Sequence, residues 1–147
     1  MASKNKVLVS AEEQAQVSRL LLVWLNQFPD KPVGKINFEY LEEDFGMALS
    51  TVQGVYKTRQ FIDGSYEAQH QFQVINRVLP ASNDERLKAD EVLDMLATWA
   101  ENTEKPFLGE GITVKRITRN NAAGMLARYE GGIEDHQILM TMIYEVI

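Results

Sequence analysis

Hydrophobic and polar positions change period several times along this chain, and each change marks an element. Val17, Leu20, Leu21, Trp24, Leu25 and Phe28 recur at three- and four-residue spacing, the apolar stripe of an amphipathic helix. Ser10-x-x-Glu13 opens it with the pattern of a reciprocal cap, and Pro29, Pro32 and Gly34 close it. Residues 1–9 read as a tail or a short opening strand. Ile36, Phe38 and Tyr40 alternate with Lys35, Asn37 and Glu39, which predicts a half-buried strand. A second capping pattern, Ser82-x-x-Glu85, begins a helix that runs to Asn102. Its predicted inward side is Leu87, Val92, Leu93, Leu96, Ala97 and Ala100, with Met95 and Trp99 extending that side or forming a satellite patch. In the next strand Ile112, Val114 and Arg116 share one side and Thr113, Lys115 and Ile117 the other; Met125–Tyr129 resumes extended chain. The final run, from His136, sets Ile138, Met140, Met142, Tyr144 and Val146 against Leu139, Ile143 and Ile147. Apolar residues on both faces predict a central strand, so C-terminal truncation is expected to harm the fold.

The stretch from Gly46 to Val78 reads as two extended arms joined at Ile62-Asp63-Gly64-Ser65. Asp-Gly between alternating runs signals a hairpin with a type I′ turn, whose two central residues need φ > 0. In the second arm Tyr66, Ala68, His70, Phe72 and Val74 face one way, and Glu67, Gln69, Gln71 and Gln73 the other. The first arm groups Lys57 and Arg59 with Val55 and Phe61, with Tyr56, Thr58 and Gln60 opposite. Each arm spans ~25 Å at ~3.3 Å per residue, more backbone than a small core needs, so the hairpin is expected to meet a partner. Its candidate subunit-interface residues are Lys57, Arg59, Asp63, Gly64, Glu67, Gln69, Gln71 and Gln73. The amide row reads either as a ladder for a neighbouring sheet or as a wet face.

Composition narrows the class. A chain of 147 residues is expected to form one α+β domain, a mixed sheet with a long hairpin and two main helices packed on it. The formal net charge of −6 disfavours a dedicated nucleic-acid binder, and the basic C-terminal group Lys115, Arg116, Arg119 and Arg128 reads as a solvated face. Without cysteine there are no disulfides and no thiolate metal sites. The longest apolar run, Leu20–Leu25, is far below the ~20 residues of a membrane span, and no stretch resembles a signal peptide. The expectation is a soluble protein made in the cytoplasm. Glu42-Glu43-Asp44 reads as a solvated acidic loop rather than a metal or acid–base site. His70 and His136 become neighbours if their strands pair, yet no nearby acid set or nucleophilic serine accompanies them, so both read as structural. Gly46–Gly54 lacks the Gly-Lys-Ser/Thr ending of a phosphate loop. No catalytic, metal or cofactor-binding residue is predicted, and the chain is not expected to be an enzyme.

Three stretches carry a family resemblance: Lys35-Ile36-Asn37-Phe38-Glu39-Tyr40-Leu41; Gly46–Gly54 with the arm through Phe72; and Asp135-His136-Gln137-Ile138 to Tyr144-Glu145. With the order of elements, they resemble the small tail-terminator or minor capsid proteins of long-tailed bacteriophages. The resemblance implies a small α+β fold and a homo-oligomer, a hexameric ring that caps the tail tube protein and joins it to the head-completion or connector protein. It implies no catalytic residues and no cofactor, a place at the head–tail interface of the virion, and DNA passing through the pore without specific binding. An acidic chain suits that passage, since like charge repels phosphate. Competing readings are another neck or tail-completion component, a non-phage adaptor that binds by strand addition, and a small hydrolase using His70, His136 and the Glu42–Asp44 acids.

Overall fold

A computed structural model describes residues 10–52 and 56–147. Residues 1–9, Gly54 and Val55 of the predicted first arm, and the Ser10 side chain of the predicted cap lie outside the described residues. Helix α1 (Ser10–Leu25) is followed by strands β1 (Ile36–Phe38), β2 (Gly46–Val52), β3 (Lys57–Gln60) and β4 (Tyr66–Val78). Helix α2 (Asn83–Asn102) leads to β5 (Ile112–Arg119), β6 (Gly124–Arg128) and β7 (Glu134–Val146). Among the described residues the strands form one seven-stranded sheet, ordered β1-β2-β4-β7-β5, with β3 continuing the β2 side of β4 and β6 pairing with β7. Among the described strands only the β1–β2 pair is parallel, which makes the sheet mixed and the fold α+β, as the alternation of elements predicts.

Both helices lie on one face of this sheet. The α1 stripe of Val17, Leu21, Trp24 and Leu25, continued by Phe28 just beyond the helix, joins Leu93, Leu96, Ala97 and Ala100 of α2 over Phe72, Val74, Ile138, Met140, Met142 and Tyr144 in one core. Trp24 meets Trp99 at 4.8 Å between ring centroids, which ties the two helices side by side. Ser82 caps α2 by accepting from the Glu85 N–H at 3.3 Å, while the Glu85 carboxylate reaches back one residue further than predicted, to the Ala81 N–H at 2.8 Å. Lys105 closes the other end, donating to the carbonyls of Ala100, Glu101 and Thr103. Leu87 is not inward: it sits in the second turn of α2 beyond the edge of the buried stripe and is two-thirds exposed.

The hairpin differs from the sequence reading in three ways. Its second arm, β4, is an interior strand, paired with β7 from Tyr66↔Val146 to Val78↔Glu134 and with β2 and β3 on its other side. Only the tip, 61–65, runs past that pairing. The turn is not type I′, because Gly64 (φ 93°) alone has positive φ there. Gly64 N–H donates to Phe61 C=O and Phe61 N–H to Ser65 C=O, giving a three-residue loop closed by a left-handed glycine. Lastly, a bulge between Lys57 and Arg59 puts Lys57 opposite Ala68 and Arg59 opposite Glu67, so the two cations lie on opposite faces rather than together. A second bulge, between Val114 and Arg116, likewise turns Ile117 into the core and Arg116 outward. The predicted 36–40 strand stops at Phe38, where Glu39 takes a positive φ of 53° and its carboxylate accepts from Ser50 Oγ and Thr51 N–H.

Candidate interaction surface

The eight predicted interface residues fall into two groups. Lys57, Arg59, Asp63 and Gly64 surround the exposed tip, where Ile62 is fully exposed and Phe61 partly so. Asp63 holds the loop by accepting from Ser65 N–H at 3.0 Å and Ser65 Oγ at 2.6 Å, bonds that keep its carboxyl below the usual range. The Lys57 ammonium lies 4.3 Å above the Tyr66 ring. Arg59 makes no ion pair among the described residues. Glu67, Gln69, Gln71 and Gln73 lie instead on the sheet face away from the helices, half-buried in line with Thr141 and Leu139 of β7. Thr58 Oγ1 donates to Glu67 at 2.8 Å; the three glutamine side chains have no hydrogen-bond partner among the described residues.

Two clusters that the sequence reading missed anchor the strands behind these surfaces. Glu13 is buried, and its carboxylate accepts from the hydroxyls of Tyr56, Tyr66 and Tyr144, the last at 2.7 Å. It stands in the first turn of α1, where the helix dipole also favours negative charge. Burial, with the hydrogen bonds to Glu13, pushes all three phenols well above their usual range. This cluster fastens the start of β3, the start of β4 and the end of β7 to α1.

At the other end of the same strands, Glu134 is buried under Arg86 (2.8 Å), Arg128 (2.9 Å) and His136 (3.0 Å). Burial raises its carboxyl, but the hydrogen bonds from Arg86, His136 and Arg128 outweigh that and hold it at about 2. His136 also meets Asp90 of α2 at 2.7 Å, so both ring nitrogens face carboxylates. The histidine therefore has the acid partners that the sequence reading denied it, and it serves as a tie between β7 and α2. The neighbouring Arg77–Asp135 pair is bidentate, at 2.7 and 2.9 Å, with Tyr129 donating to Asp135.

His70 and His136 are not neighbours, since His70 pairs with Met142 and His136 with Asn76. His70 is buried against Phe72, its Nε2 has no partner among the described residues, and burial lowers its ring to about 4. The predicted basic face is mostly paired: Lys115 with Glu145, Arg119 with Glu101, and Arg128 with Glu134. Glu42, Glu43 and Asp44 are exposed. Among the described residues there is no cluster of side chains able to hold a metal ion and no helix long and apolar enough to cross a membrane.

No protein-family model matches the chain, and neither does any curated protein sequence. The fold and its surfaces stand on their own geometry.

Proposed function

We propose that this protein is a phage assembly subunit, a tail terminator that forms a ring on the tail tube and joins it to the head-neck connector. The observation that carries this reading is the hairpin tip: a fully exposed Ile62 between Phe61 and Asp63-Gly64, flanked by Arg59 and Lys57 and held rigidly from behind by Glu13 and its tyrosines. An apolar knob on a braced hairpin gains free energy only when another molecule covers it. The resemblance of the 35–41, 46–72 and 135–145 stretches to tail terminators points to the kind of assembly. The net charge of −6 favours a pore that does not retain DNA. A phage lacking the gene is expected to make overlong or unjoined tails under the electron microscope; ordinary tails would refute the assignment. A strand-addition adaptor is the second reading, favoured by the edge of β3 that faces away from β4 and has no partner strand among the described residues.

A further inference from the structure

We propose that the hairpin tip of one copy docks into an acidic-rimmed apolar groove beside α2 of the next copy, a contact that rests on the assembly reading and supplies its acceptor. The groove has a volume of about 910 Å³, a floor of Phe28, Leu87, Met95 and Trp99, and Asp30 and Glu91 at its rim. Leu87 and Met95 leave substantial apolar surface in water there. Two further acids at the groove are already committed, Asp90 to His136 and Asp94 to the Ala123 N–H. Asp30 and Glu91 have no ion-pair partner among the described residues.

The tip matches this groove in its exposed apolar side chains and in the free charge of Arg59. Ile62 and Phe61 present apolar surface that matches the floor, and Arg59, on the face opposite Lys57 and without an ion pair among the described residues, brings positive charge to the free carboxylates. A second apolar groove, lined by Ala15, Leu22 and Phe38 beside α1, carries Arg19 and would set like charge against Arg59.

The contact has to be between molecules. The tip precedes Tyr66 on β4, whereas the groove lies beside Asp90, which bonds His136, the partner of Asn76 on the same strand. Tyr66 and Asn76 stand ten positions apart, roughly 33 Å at ~3.3 Å per residue. A strand paired on both sides cannot bend its tip back over that distance. Donor and acceptor are different surfaces at opposite ends of the domain, so the contact is heterologous and propagates head to tail, closing into a ring when the rotation permits.

The absence of cysteine makes the test direct. Ile62→Cys and Met95→Cys each replace an exposed side chain, and circular dichroism checks that both variants fold. Mixed and treated with a short bis-maleimide, they are expected to give the Ile62→Cys/Met95→Cys heterodimer as the main product. Arg59→Glu on the donor should slow that cross-link roughly tenfold, and Glu91→Lys on the acceptor should restore it. Cross-links only between like variants, or a rate indifferent to Arg59→Glu, would overturn the contact. If those results come with rings still visible by electron microscopy, the groove is wrong and the assembly reading stands. If the mixed variants give no heterodimer and the wild type forms no rings and joins no tails, both are removed.

Discussion

Glu13 and Glu134 are both buried carboxylates, at opposite ends of the β4–β7 pair, and the fold satisfies them by different chemistry. Glu13 has three neutral phenols and a helix N-terminus; Glu134 has two guanidinium groups and an imidazole. At the phenol end Lys57 lies over the Tyr66 ring, while Arg59 makes no ion pair among the described residues. The guanidinium end neutralises β7, β6 and α2 against one another and leaves Asp30 and Glu91 as the free charges near its groove. The same strands thus carry an exposed apolar tip beside Arg59 at one end and a groove with Asp30 and Glu91 at the other.

Breaking the phenol end should have the largest effect. Glu13→Ala leaves three buried hydroxyls without their acceptor, and urea unfolding should show a loss of about 4 kcal/mol, at ~1–3 kcal/mol per stranded donor less relaxation. Glu13→Gln keeps an acceptor oxygen and should lose distinctly less; equal losses would deny the hydrogen bonds their role.

pH separates the two ends next. Raised phenols contribute stability that is present below their ordinary value of 10.0 and is lost as pH climbs beyond it. The depressed Glu134 carboxyl contributes stability that is present above 4.5 and is lost as pH falls toward about 2. Unfolding midpoints across pH should therefore show an alkaline limb reduced by Tyr144→Phe and an acid limb reduced by Glu134→Gln. Interchanged effects would contradict the comparison.

His70, between the two ends on β4, has neither solution. Its ring is neutral in the fold and falls from 6.5 to about 4, so the stability it permits is complete above 6.5 and drains away as pH drops toward 4. Between about pH 7.5 and about pH 5 the loss is about 2 kcal/mol, because each pH unit below 6.5 favours the protonated unfolded ring by a further ~1.4 kcal/mol. His70→Phe should flatten that part of the profile, and an unchanged slope would place the titration elsewhere.

The helices, the interior position of β7 and the β4 arm of the hairpin were legible because their apolar periods are long and uninterrupted; β3, Lys57-Thr58-Arg59-Gln60, has no apolar residue and was legible only through the Asp-Gly turn. Both bulges were not: one extra residue inverts every side chain beyond it, and neither Lys57-Thr58-Arg59 nor Val114-Lys115-Arg116 contains a glycine to announce the change. The Asp-Gly pair marked the turn correctly and its type wrongly, since the same dipeptide also serves the three-residue loop. The two anchoring clusters had a signal that lies in phase rather than in any motif. Glu13 falls four residues before Val17 on the buried stripe, and Glu134 and His136 are in phase with Ile138, Met140 and Met142. A charged residue in phase with a buried face requires partners, but their identity, Tyr56, Tyr66 and Tyr144 or Arg86 and Arg128, exists only once distant strands have paired. The acceptor groove was hidden for a related reason: Leu87 fits the inward period of α2 and is exposed by where the helix begins on the sheet.

The proposed assembly role rests on the exposed, braced tip. Sedimentation velocity of the wild type beside Ile62→Asp tests it most directly. The wild type is expected to run as a ring-sized species, and the variant as a folded monomer with an unchanged thermal midpoint. An Ile62→Asp protein that assembles as the wild type does would contradict it.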